Sequence, residues 1–186
     1  MKTILGVLLA VVVLGGLYYW TTYNSLIALN ENVDNQWAQV ETQYQRRFDL
    51  IPNLVESVKA VMAQEKEIFL GIAEARTRYS GASNANDKAA AATEVEGALA
   101  RLLVIMENYP QLKSSENVQT LMAQLEGTEN RISIERKRYN DLVRDFNVKI
   151  KQVPAKWIAS SLGYAERNYF DAVEGSETAP AVNFDN

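Results

Sequence analysis

The chain has 186 residues with no cysteine and no histidine, and 19 basic against 23 acidic side chains give a net charge of −4. Without histidine there are no imidazole bases, imidazole metal ligands or Ser–His and Cys–His nucleophiles; without cysteine there are no disulfides, thiolate zinc sites or lipidated N-terminal cysteine. Carboxylate pairs and metals bound by carboxylates alone stay open, and the length fits one domain with additions at its ends.

The charge is unevenly placed. Only Lys2 is charged in residues 1–22, residues 23–165 are close to balanced, and residues 166–186 set Arg167 against Glu166, Asp171, Glu174, Glu177 and Asp185. A nucleic-acid-binding domain would carry a net basic footprint, so no nucleic acid is expected as a partner.

Residues 3–20, TILGVLLAVVVLGGLYYW, hold no charge and end in Tyr18, Tyr19 and Trp20. At about 1.5 Å per residue this run just crosses a hydrocarbon core of about 30 Å, with its aromatic end at the interface. A cleaved signal peptide is the rival reading. The run exceeds an h-region of about 7–15 residues and no A-x-A site follows, which favours an uncleaved anchor over residues 1–22 with membrane lipid as a partner. Lys2 before the span and Glu31 and Asp34 after it place the domain outside the cytoplasm, on the inner cell membrane, by the positive-inside rule.

Residues 23–156 read as an all-α domain. Apolar residues at 23, 26, 27, 33, 37, 40, 44 and 48 recur every three or four positions, as in an amphipathic helix continuing the span. RRFDLIPNLVESV, residues 46–58, then puts a proline inside the pattern. Pro52 either kinks one long helix or opens a new one that doubles back, where its missing N–H costs nothing and Asp49 serves as the cap. The turn is the expected answer, because one rod could not bury its own apolar stripe. A second helix then runs to Tyr79. SGASNAND, residues 80–87, is a loop with Asn86 or Asp87 as the next cap. A third helix runs from Lys88 to Met106 and stops before Tyr109 and Pro110. Ser114 or Ser115 caps a fourth that ends at Pro154. These make an up-and-down four-helix bundle behind a transmembrane helix.

With four helices the chain returns to the membrane. Lys149, Lys151, Lys156 and Trp157 would then lie near the bilayer, and Trp157, Ile158, Leu162 and Tyr164 either contact lipid or close the bottom of the core.

Glu65, Glu129 and Arg136 fall on apolar faces, and Arg47 leads into the Pro52 break. Such charges are rarely buried unpaired, which predicts a structural Arg–Glu layer fixing helix register. The functional alternative is a carboxylate metal site or acid–base pair from Glu65, Glu107 and Glu129. No cofactor is expected.

Three stretches together resemble the LemA family: YNSLIALNENVDNQWAQVETQYQRRFDLIPNLVESVK at 23–59, ENYPQLKSSENVQTLMAQLEGTENRISIERKRYND at 107–141 and GYAERNYFDAVEGSETAPAVNF at 163–184. The resemblance implies a four-helix domain behind one N-terminal transmembrane helix in bacteria, without an established activity. It also implies membrane proteases as context for protein partners. The expected function is therefore a non-catalytic, membrane-tethered scaffold, with self-association open. Residues 157–186 would supply an interfacial segment and an acidic tail presenting Pro180, Val182 and Phe184 to a partner. An extracytoplasmic sensor or ligand-binding module and a carboxylate metal protein or enzyme are the alternatives. Within this reading Pro52 starts the second helix, Asn53 satisfies loose backbone groups and Arg47 meets a carboxylate.

Overall fold

Leu26, Val33, Val40, Tyr44, Ile51, Leu54 and Val58 repeat at helical spacing and are all buried, and a single uninterrupted helix carries them. In the computed structural model, which describes residues 1–170, this helix is α1, Lys2–Lys59, 58 residues and about 87 Å long. Five more helices follow: α2 (Lys66–Gly81), α3 (Ala85–Met106), α4 (Pro110–Lys113), α5 (Glu116–Lys151) and α6 (Ala155–Ser161). The described residues contain no strand. The fold is all-helical as expected, with six helices where four were predicted: α4 is a single turn, and α6 seven residues.

The expected turn at Pro52 is absent. Pro52 is half-buried inside α1, Asp49 lies mid-helix accepting from Gln45 (2.8 Å), and Asn53 is exposed. The helix continues because its core face does: Phe48, Ile51, Leu54 and Val58 stay in register across the proline. Turning at residue 50 would take Leu54 and Val58 out of the core, a larger cost than one lost backbone hydrogen bond. The reversal comes eight residues after the proline, without proline or glycine. Met62, fully buried, donates its N–H to the Val58 carbonyl (3.0 Å) and pins a turn that leads into α2 at Glu65.

Two further boundaries differ from expectation. The cap of α3 is Asn84, and the helix starts at Ala85 rather than Lys88. The Asn84 side chain accepts from the Asp87 N–H (2.9 Å) and donates to the Asp87 carboxylate (2.7 Å). Ser115 occupies the cap position of α5 but makes no side-chain capping bond.

Polar pairs give the directions. Gln36 meets Glu135, and Arg47 meets Glu129, so α1 and α5 run antiparallel. Arg78 meets Glu94 (2.7 Å) across the α2–α3 hairpin. Glu41 pairs with Lys88 and Arg47 with Glu96, so α3 runs parallel to α1. The hairpin covers the distal part of the α1–α5 pair, where Tyr79 packs on Phe48 with ring centroids 4.3 Å apart. Nearer the N-terminal run, α6 and residues 164–170 cover the same pair: Ile158 and Ala159 are buried, and Tyr164 packs edge-on against Phe146 (5.6 Å). The bottom of the core is thus closed by α6, which straddles the boundary drawn at residue 157, while Trp157 points outward, 68% exposed.

Candidate functional site

In the last quarter of α1, Arg47 occupies a position the apolar stripe would otherwise give to a hydrophobe, and only 2% of it is exposed. Its guanidinium is paired with Glu129 of α5 and lies 3.9 Å from Glu96 of α3. Glu96 also takes Arg136 of α5 (3.3 Å), and Arg136 donates to the Tyr44 hydroxyl (2.9 Å). Arg136 further stacks over Tyr44 and Phe170, about 5.5 and 5.4 Å from their ring centres. Three helices are joined through five side chains. Burial is the main influence on Arg47 and lowers its pKa, opposed by Glu96; burial likewise raises Tyr44, opposed by Arg136. Both shifts express desolvation answered by a partner.

Glu65 stands elsewhere. It lies at the α1–α2 turn and accepts from the Tyr109 hydroxyl (3.1 Å), whereas Glu107 follows the end of α3 and is exposed. Glu65, Glu107 and Glu129 are not brought together, and no cluster of three or more acidic side chains able to hold a metal occurs among the described residues.

A second polar feature was not foreseen. Asn140 and Asn147, two turns apart on α5, each hold one residue of the extended segment after α6 by its backbone. The Asn147 amide donates to the Arg167 carbonyl (2.8 Å) and accepts from the Arg167 N–H (2.9 Å). Asn140 does the same with Phe170, at 3.0 and 2.8 Å. Arg167 then reaches α1, meeting Asn30 (2.7 Å) and Asp34 (3.0 Å), and Phe170 stacks on Trp37 and meets Tyr139 edge-on. A matched pair of asparagines seven residues apart, facing a segment without helical periodicity, was the signal available in the sequence.

Between α3 and α5 the surface opens into a groove. Its lower half is a cavity of about 450 Å³ with Leu99, Leu103, Met122 and Leu125 on its walls and Arg47 in its floor. Its upper half, about 440 Å³, shares Leu103, Met122 and Glu126 and reaches Met106, Leu112 and Val118.

At the opposite end, residues 2–21 are exposed throughout and apolar, with a mean hydropathy of 2.0 in their best window, long and apolar enough to cross a membrane. Tyr18, Tyr19 and Trp20 end this run, and Thr22 is the first buried residue. Lys149 is half-buried, Lys151 pairs with Glu166 (2.8 Å), and Lys156 is exposed beside Trp157. Pro180, Val182 and Phe184 lie outside the described residues.

The sequence profile of the LemA family matches residues 36–184, most of the chain. The chain belongs to the LemA family. Among curated LemA-like relatives, Magnetosome protein MamQ 1 of Paramagnetospirillum magneticum is 24% identical over 182 residues, covering 84% of this chain and 67% of that protein. Magnetosome protein MamQ of Magnetospirillum gryphiswaldense is 24% identical over 201 residues, covering 92% of this chain and 74% of its own length. The LemA match includes the Arg47 layer, both asparagine clamps and the chain beyond residue 170 as far as Phe184.

Proposed function

We propose that this LemA-family chain is a single-pass, membrane-anchored scaffold of the bacterial cell envelope that works by binding and not by catalysis. One observation carries the reading: the exposed apolar residues 2–21 and the core-forming residues 22–59 are the same helix. A segment bared to this extent has no partner among the described residues, and a hydrocarbon core is the surrounding that its length and composition suit. The four longer helices, α1, α2, α3 and α5, then act as one up-and-down bundle carried on the anchor. The most buried charges are matched by each other, as a structural layer requires. The relatives' names refer to the magnetosome and to no reaction, in line with an organising role.

The same reading puts residues 1–22 in or at the membrane, residues 23–156 in the bundle and residues 157–186 in a terminal extension. Because α6 packs on α1, Trp157 and Lys156 lie at the anchor end of the bundle. With Tyr18, Tyr19, Trp20, Lys149 and Lys151 they form the surface proposed to face the bilayer. Lys2 favours a bundle outside the cytoplasm, and the family resemblance puts membrane proteases among the candidate protein partners.

Ser83→Cys, an exposed position between α2 and α3, provides the test in a chain with no other cysteine. Labelling of intact cells by a membrane-impermeant maleimide, with any outer membrane permeabilised, is the expected result. Labelling only after lysis would move the bundle to the cytoplasm. Deleting residues 2–21 should release a folded protein from the membrane fraction; retention there would remove the anchor from the reading.

A further inference from the structure

We propose that two copies of this chain pair side by side in one membrane through the outer face of the α2–α3 hairpin, with α2 of each against α3 of the other and Arg101 of each seated between Glu67 and Glu74 of the second copy.

Ile72, Val95, Leu99 and Leu102 turn the hairpin's core side inward. On its other side, α2 and α3 leave a groove of two adjoining cavities, about 480 and 350 Å³, that share Gly71, Ala98 and Arg101. Two large apolar side chains stand free beside it: Leu70 of α2 is 61% exposed and Val104 of α3 is 65% exposed. A Cβ at Gly71 or Gly97 would meet no atom within 4 Å, so the chain's own packing calls for neither glycine.

The Arg78–Glu94 pair (2.7 Å) sets the two antiparallel helices level with each other. In that register Gly71 is level with Arg101, Glu74 with Ala98 and Glu67 with Ile105. Relative to Arg101, Glu67 is thus about 6 Å higher and Glu74 about 4.5 Å lower, both within reach of a guanidinium. Among the described residues none of these three charges is in an ion pair.

Symmetry then offers the same register between copies. With both anchors in one bilayer, a step that rests on the membrane-anchored reading above, the two-fold axis runs along the membrane normal. Rotation about that axis changes no residue's height. An axis in the groove therefore lays α2 of one copy against α3 of the other, level for level. Arg101 meets Gly71 of the second copy, where no side chain intervenes, with Glu67 and Glu74 one turn to either side. Leu70 comes within about 3 Å of the height of Val104 on the second copy, so the two exposed apolar groups cover each other. Arg78 comes opposite the second copy's Glu94, which closes a ring of four alternating charges. Each contact occurs twice, as a two-fold interface requires. Confinement to one membrane raises the effective concentration of the copies, so a surface of this modest size suffices.

The lack of cysteine in the chain makes the test direct. Full-length chains carrying Leu70→Cys and, under a different tag, Val104→Cys are co-expressed, and whole cell fractions are treated with a short bismaleimide. The expected product is a dimer bearing both tags. Arg101→Glu in both chains should reduce it at least tenfold. Pairing one Arg101→Glu chain with one Glu67→Lys, Glu74→Lys chain should restore it, because every contact is again between opposite charges. All five positions are exposed, so the bundle core is untouched. Absence of the mixed dimer overturns the proposal, as does a mixed dimer that Arg101→Glu leaves unchanged. Equal linking of Val104→Cys chains to each other would overturn the register. Chains recovered outside the membrane fraction would remove the anchor, and the cross-link, read in either fraction, still decides the pairing.

Discussion

Asn147 holds Arg167 by its backbone in both directions, and the guanidinium of the same arginine crosses to Asn30 and Asp34 on α1. The segment after α6 is thereby tied to both long helices at one residue. Asn147 itself is buried, so an apolar replacement leaves a backbone donor and acceptor of Arg167 unmatched.

Asn147→Ala should therefore cost about 1–2 kcal/mol in urea denaturation. It should also speed trypsin cleavage after Arg167, while Asn140→Ala acts more weakly because Phe170 keeps its ring contacts with Trp37 and Tyr139. Unaltered cleavage after Arg167 would mean that the clamp does not hold the segment.

The Arg47 layer predicts an asymmetry between its partners. Glu96→Gln combined with Glu129→Gln leaves a buried guanidinium without a carboxylate and should lose about 2–3 kcal/mol. This falls below the ~3–5 kcal/mol of fully enclosed pairs because the Glu96 and Glu129 side chains are 30% and 45% exposed. Arg47→Met fills the same space, leaves Glu96 with Arg136 and returns half-exposed Glu129 to water, so a loss of about 1 kcal/mol is expected. Chemical denaturation of both variants measures the difference, and a larger loss for Arg47→Met would show that the acids depend on the arginine more than the reverse.

Pro52→Ala separates a corner from a helix interior. In an unbroken α1 alanine restores a backbone hydrogen bond and should stabilise by roughly 1–2 kcal/mol, less than the ~3 kcal/mol of an isolated helix because packing already accommodates the ring. A lower melting temperature would mean that the proline shapes the fold after all.

Alkaline pH should weaken the aromatic packing along the bundle. Burial raises the pKa of Tyr44, Tyr79 and Tyr139 above the ordinary value near 10, Tyr79 to about 12 with Glu41 adding to the shift. The fold favours the protonated phenols. The contribution of Tyr79 is thus complete below pH 10 and is lost as pH rises from 10 towards 12. Tyr79→Phe should flatten that loss in melting curves taken across the interval, with little effect at pH 7.

What could be read from sequence and what could not divide along the same physical line. The stripe from Leu26 to Tyr44, the apolar run before it and the stop before Pro110 are local patterns, and local patterns survive into the fold. The path through Pro52 depended on whether Leu54 and Val58 were needed on the core face, which only the packed α5 decides. Glu129 and Arg136 drew notice as charges on apolar faces, and Arg47 as the lead into the Pro52 break. Glu96 did not, although it follows buried Val95 and precedes buried Leu99, because its role depends on an arginine from another helix. Asn140 and Asn147 were missed for the same reason: their partners are backbone groups of a segment with no pattern of its own.

An unbroken α1 makes height a fixed quantity. From Thr22, where burial begins, to Arg47 is 25 residues, about 38 Å of rigid rise with no joint between. On the proposed anchoring, anything docking at the groove above Arg47 would meet it at that one elevation over the bilayer. On the same anchoring, a tilt of residues 2–21 would swing the groove sideways like the tip of a mast, because α1 runs unbroken through Thr22.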